Sequence, residues 1–218
     1  KMSFEENIHK KWMRRAIQLA ALGKGLTSPN PMVGAVIINK SGKLIAEGFH
    51  EKTGKKHAEA MAFSNLKEDP SGGTLYVNLE PCCHRGKTPP CVDKIISSGL
   101  KRVFVSIKDP DRRVSGKGIK LLEDAGIEVD LGLCEEESLE LNKSFIHRNV
   151  TGAAFGVFKW AMSIDGRLGL KNGESKWITN EDSRSFVHKL RADFDAIIIG
   201  GNTLRKDNPL LTTRGLKE

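Results

Sequence analysis

The run His57-Ala58-Glu59, followed further along by Glu80-Pro81-Cys82 and then by Cys91, constrains the fold of this chain more than any other feature. One imidazole and two thiolates supply three protein ligands, the number that catalytic zinc takes when its fourth tetrahedral position must hold water. Glu59, two residues after the histidine, reaches such a water without being a ligand. Zinc in an open site brings the pKa of water down toward about 7, and a carboxylate at that distance acts as general base and acid. The same residues define a local unit: a helix expected over 57–66, a strand over 74–79 and a helix over 92–98. Imidazole and thiolates then sit near helix starts, where the positive end of the dipole favours a thiolate. A closed structural site, with His84 or Cys83 as fourth ligand, is the competing arrangement, and it leaves Glu59 without a role.

The flanking pattern places this unit in a layered α/β domain. Residues 5–22 put Ile8, Trp12, Ile17, Leu19 and Leu22 on one face of an amphipathic helix that Gly23 stops. Residues 33–38 and 44–49 are short β-rich runs joined by Asn39-Lys40-Ser41-Gly42, which reads as a hairpin. A strand over 102–107, a helix over 118–125 and a short strand over 127–131 complete the layers. Residues 135–149 read as one connecting helix, with Glu135, Glu136 and Glu137 at its N-terminal dipole. After Thr151-Gly152 a second domain begins, with strands expected at 154–162 and 195–199 and a helix at 181–190. The domains are therefore 1–150 and 151–218, the second short enough to be read as the opening part of a longer one.

Composition narrows the function classes. Hydrophobic residues make up 39% and charged residues 28% of the 218, an ordinary globular balance. No apolar run approaches the roughly 18 residues of a membrane span, and the opening KMSFEENIHKKWMRR lacks a signal-peptide core. A cytoplasmic protein without a membrane partner is expected. The net charge of +8 suits either nucleic acid or a phosphorylated small molecule, but the basic residues are scattered among acidic ones. Aromatic residues, the stacking platforms of single-strand binding, amount to 6%. Cys82, Cys83 and Cys91 cluster as metal ligands do rather than as disulfides, and Cys134, apart from them, reads as a small packed apolar residue.

Zinc nucleobase deaminases carry H-x-E followed by P-C-x-x-C; here the second half is longer. The spacer from Glu80-Pro81-Cys82-Cys83-His84-Arg85-Gly86-Lys87 to Thr88-Pro89-Pro90-Cys91, with Asn30-Pro31-Met32-Val33-Gly34 upstream, resembles the bifunctional riboflavin-biosynthesis deaminase/reductase family. The resemblance runs from about residue 10 to the last residues. It implies an α/β architecture, a three-layer cytidine-deaminase-like domain followed by part of a dihydrofolate-reductase-like domain. It implies zinc, one per chain, on His57, Cys82 and Cys91, with Glu59 as proton shuttle. The implied reaction is deamination of 2,5-diamino-6-(5-phosphoribosylamino)pyrimidin-4(3H)-one, followed in the complete enzyme by NADPH reduction of the ribosyl group to ribityl. The implied partners are this phosphorylated small molecule and further copies of the chain in a homo-oligomer, not nucleic acid.

Residue by residue, the resemblance places deaminase substrate contacts at Asn30, His50, His84, Lys87 and Asp109, the last in the turn Asp109-Pro110-Asp111, where the family more often has Asn at position 111. Asn and His offer hydrogen bonds to ring edges, and Lys87 a charge for phosphate. In the second domain it rests on Lys159-Trp160-Ala161-Met162-Ser163-Ile164-Asp165-Gly166-Arg167, Gly173-Glu174-Ser175-Lys176-Trp177-Ile178-Thr179, Leu190-Arg191-Ala192, Gly200-Gly201-Asn202-Thr203 and the stretch from Asp207 to Arg214. NADP contacts are implied at Ala161, Trp177, Thr203 and Asp207, and reductase substrate contacts at Ser175, Arg191, Leu211 and Arg214. Two guanidinium groups suit a phosphate. No G-x-G-x-x-G cofactor loop is present in the sequence, and the reductase domain is expected to be incomplete here. The alternatives are a nucleic-acid or tRNA base deaminase and a non-catalytic zinc-binding module.

Overall fold

The computed structural model describes residues 4–84 and 89–215, in two compact units that meet between Phe155 and Gly156. The first unit runs α1 (Phe4–Ala21), β1 (Gly34–Ile38), β2 (Leu44–Phe49), α2 (Ala58–Ser64), β3 (Thr74–Leu79), α3 (Cys91–Ser97), β4 (Arg102–Ile107), α4 (Lys117–Asp124), β5 (Glu128–Leu131), α5 (Glu135–Leu141) and α6 (Lys143–Thr151). The five strands form one sheet in the order β2-β1-β3-β4-β5. β1 is antiparallel to β2 and β3, and β4 is parallel to β3 and β5.

Side chains alternate across a strand, and here both faces are covered. Ala35, Ile37, Leu75, Val77, Val103 and Val105 pack with Ala58 and Ala62 of α2, Val92 and Ile95 of α3 and Leu122 of α4. The residues between them, Val36, Ile38, Tyr76 and Phe104, pack with Met13, Ala16 and Leu19 of α1. The result is three layers, and burying each large aliphatic side chain contributes about 1.5–3 kcal/mol. The hairpin turn is closed by Asn39, whose Oδ1 accepts from the Ser41 and Lys43 N–H groups, each at 3.0 Å.

Two local expectations are corrected. The buried stripe of α1 is Met13, Ala16, Leu19 and Ala20, whereas Ile8 and Leu22 are exposed. Small residues win this face because α1 lies almost on β1: a Cβ on Gly34 would come 2.0 Å from the Ala16 carbonyl oxygen. The single helix expected over 135–149 is two, broken at Asn142, which is buried and uses its side chain in hydrogen bonds elsewhere.

In the second unit α7 (Glu181–Arg191) begins at Asn180, whose Oδ1 accepts the Ser183 N–H at 2.9 Å, a helix cap. α8 (Gly201–Asp207) has no counterpart among the sequence expectations, since glycine is a poor helix former and two stand at its start. The strands expected at 154–162 and 195–199 are not formed. A strand exists by exchanging N–H and C=O groups with a neighbour, and neither run finds one among the described residues. No described residue of this unit is buried, and Phe158 and Ile198 are 88% and 95% exposed. Among all described residues no helix is long and apolar enough to cross a membrane.

Candidate metal centre and its surroundings

His57 caps the N-terminus of α2, Cys91 opens α3, and Cys82 follows the end of β3 by three residues. Both sulfurs lie 3.5 Å from His57 Nδ1, and all three donor atoms lie within 4.8 Å of one another. A tetrahedral ion about 2.3 Å from sulfur and about 2.0 Å from nitrogen sets the two donors about 3.6 Å apart, so the residues fit zinc. Among the described residues no fourth His, Cys, Asp or Glu joins the group. Cys83 turns away: its thiol donates to the Arg113 carbonyl and packs against the apolar layer beneath α2, α3 and α4.

The electrostatics of this cluster follow from crowding in a buried place. Cys82 is pulled down to about 4, first by the hydrogen bond from the Cys91 thiol and then, against its own burial, by His57 and the Cys91 N–H. Cys91, donating to that thiolate beside Glu59, is pushed up. His57 is raised, chiefly by Cys82. Glu59, second residue of α2 and 4% exposed, is raised to about 7 by burial and then by the neighbouring Cys82 charge. A carboxyl that changes protonation near neutrality suits proton transfer in both directions.

Asn30 and His50 are brought to this centre. The His50 ring stands edge-on to the His57 ring at 6.0 Å. His50 Nδ1 donates to the Lys56 carbonyl at 3.0 Å, which leaves Nε2 to accept from the Asn30 amide at 3.3 Å. His84 is exposed, and Lys87 lies outside the described residues. Asp111 is committed to Arg113, whose guanidinium it holds at 2.5 and 2.9 Å, and that pairing lowers its pKa.

Asp109 is 9% exposed and raised to about 6, first by burial. The unfolded chain releases this proton near 3.8, so between about 4 and 6 the native state binds more protons and stability falls as pH rises. Asp109→Asn keeps an acceptor for the Asp111 N–H, now at 2.9 Å. With a chelator present throughout, it is expected to raise the unfolding free energy from urea titration at pH 7.5 by an amount of order 2 kcal/mol, and to change it little at pH 4. An equal midpoint at both pH values would sink this account.

Glu80, two residues before Cys82, has a structural role that its sequence context does not announce. Its buried carboxylate accepts four backbone N–H groups: Asp109 at 3.2 Å, Gly116 at 2.9 Å, Gly118 at 2.9 Å and Ile119 at 3.3 Å. It thereby ties the segment leading to Cys82 to the Asp109 turn and to the start of α4. Gly118 is required there, since a Cβ would come 2.3 Å from the Pro81 carbonyl oxygen. The sequence signal was a charged residue directly after a strand of apolar character.

In the second unit the implied substrate residues partly converge. Arg191, at the end of α7, donates to the Leu210 and Thr212 carbonyls that flank Leu211, both at 3.4 Å. His188 is lowered, first by desolvation and then by Arg214 and Arg191 together. Ser175 is exposed on another segment. Of the implied cofactor residues, Thr203 and Asp207 stand one turn apart on α8, whereas Ala161 and the exposed Trp177, stacked under Arg184 at 4.5 Å, come from elsewhere.

Residues 6–107 match the cytidine and deoxycytidylate deaminase zinc-binding region, and residues 154–218 match the RibD C-terminal domain. The riboflavin biosynthesis protein RibD of Aquifex aeolicus is 50% identical over 207 residues, 95% of this chain and 58% of that protein. This chain belongs to the RibD family. A family member from Thermotoga maritima, described as a diaminohydroxyphosphoribosylaminopyrimidine deaminase/5-amino-6-(5-phosphoribosylamino)uracil reductase, superposes with a TM-score of 0.92 at 44% identity, over 98% of this chain and 61% of that one. Acinetobacter baumannii RibD gives 0.90 at 43% identity, over 97% and 59%. The chain thus spans somewhat more than half the length of these relatives.

Proposed function

We propose that residues 1–150 are a zinc-dependent aminohydrolase domain acting on the phosphorylated diaminopyrimidine of its relatives, and that 151–218 begin an NADPH-dependent reductase domain. The observation that carries this is a three-donor site with a buried, near-neutral carboxyl beside it, in an order that leaves one position open. When bound, zinc supplies the Lewis acidity that makes hydroxide available near pH 7.

The chain's own residues then do the rest. Glu59 takes a proton from the attacking water as its oxygen bonds to the ring carbon bearing the exocyclic amine. It returns that proton to the adjacent ring nitrogen. A second proton, passed the same way to the amine, lets the carbon–nitrogen bond break and ammonia leave. Asn30 and His50, which meet beside His57, orient the ring edge; His84, Lys87 and Asp109 are assigned to the same substrate, Lys87 to its phosphate. In the second domain Ala161, Trp177, Thr203 and Asp207 are assigned to NADP, and Ser175, Arg191, Leu211 and Arg214 to the reductase substrate. Association into a homo-oligomer belongs to the same reading.

The test is ammonia release from the phosphorylated diaminopyrimidine by zinc-loaded protein and by protein treated with chelator. Release that depends on zinc is the expected result. A zinc-loaded, folded protein that releases none overturns the deaminase and leaves the structural zinc module.

A further inference from the structure

Two buried asparagines on the sheet face opposite the metal centre make a set of hydrogen bonds that the deaminase reading does not use. Asn78 of β3 and Asn142, between α5 and α6, are 0% and 1% exposed. Asn142 Oδ1 accepts the Met32 N–H at 2.8 Å while its Nδ2 donates to the Met32 carbonyl at 2.9 Å. Asn78 Nδ2 donates to that same carbonyl at 3.1 Å, and its Oδ1 accepts the Gly34 N–H at 2.8 Å. An amide side chain that takes both the N–H and the C=O of one residue acts as a strand neighbour would.

The held segment leads directly to the site. Met32 lies two residues after Asn30, and the next carbonyl, Val33, accepts the backbone N–H of His50 at 2.9 Å. The His50 ring in turn meets Asn30 at one side and stands beside His57. Displacing Met32 therefore moves both groups that face the substrate ring, without touching a metal donor. We propose that Asn142, with Asn78, is a positioning residue that sets the Asn30–His50 pair from across the sheet. The proposal deepens the deaminase reading and rests on it for its consequence in catalysis.

In the zinc-loaded full chain, Asn142→Ala is expected to raise KM for the diaminopyrimidine roughly ten- to hundredfold while kcat and zinc content stay near wild type. In an Asn30→Ala background the same change should add little, because both act through one contact. Amide hydrogen exchange gives a readout independent of activity: the His50 N–H should lose protection about tenfold or more, with the Val103 and Val105 amides of β4 unchanged. If Asn142→Ala does not fold, Asn142→Ser, which keeps an acceptor for the Met32 N–H, is measured in the same way. Unchanged His50 protection, or KM effects that multiply in the double variant, overturns the proposal. Wild-type protein without ammonia release would sink the deaminase reading alone, and His50 exchange would still decide the positioning role.

Discussion

Glu59→Gln is expected to reduce ammonia release by roughly 10²–10⁴-fold while zinc stays bound at one per chain. The glutamine amide fills the space of the carboxyl but neither takes a proton from water nor delivers one to nitrogen. Glu59 is 4% exposed and raised to about 7, so its ionised form is costly to keep buried. The variant should therefore be no less stable than wild type, and a thermal unfolding scan run alongside the assay separates loss of chemistry from loss of fold. A folded, zinc-loaded Glu59→Gln that still releases ammonia at more than a tenth of the wild-type rate removes Glu59 as the proton carrier.

The three residues of the candidate metal centre could be picked out in the sequence because each stands at the junction of two elements whose periods are clear. The alternation of Leu75, Tyr76 and Val77 in β3 announces a strand buried on both faces, and the residues after such a strand's C-terminal end are where a site forms. The hairpin was equally plain, since Asn39 and Gly42 supply turn chemistry between two apolar runs. What pattern alone could not give was which polar residue serves which backbone group. Asn142 looks like any polar residue in a helix of mixed character, and its partner Met32 lies 110 positions away. Glu80 likewise has the sequence character of an exposed charge, and only the segment after β4, folded over it, buries it.

The second unit failed for a different reason. Residues 154–162 and 195–199 have strong strand character, yet strand formation is a property of pairs, and among the described residues neither run has its pair. The helix α7 was readable because its cap, its acidic first turn and its basic last turn are local features. Local signals survived there and non-local ones did not.

Glu80→Ala is expected to have the largest effect on stability in the first unit. Four backbone N–H groups converge on this carboxylate, and those of Asp109, Gly118 and Ile119 belong to buried residues. Each buried donor left without a partner costs about 1–3 kcal/mol, so a loss of at least about 3–5 kcal/mol is expected against a typical domain stability of about 5–15 kcal/mol. Glu80→Gln is the sharper test, because it keeps the shape. One oxygen still accepts a pair of N–H groups, but the amide NH₂ now faces the other pair, donor against donor. It should lose roughly half of what the alanine variant loses, measured by urea unfolding with chelator present. Zinc affinity should fall as well, since Cys82 follows Glu80 by two residues and the segment between them is held through the Glu80 carboxylate and the close approach of Gly118 to Pro81. A Glu80→Gln protein with the wild-type urea midpoint would mean that the four N–H groups find water or new acceptors, and that the path to Cys82 is held by something other than this carboxylate.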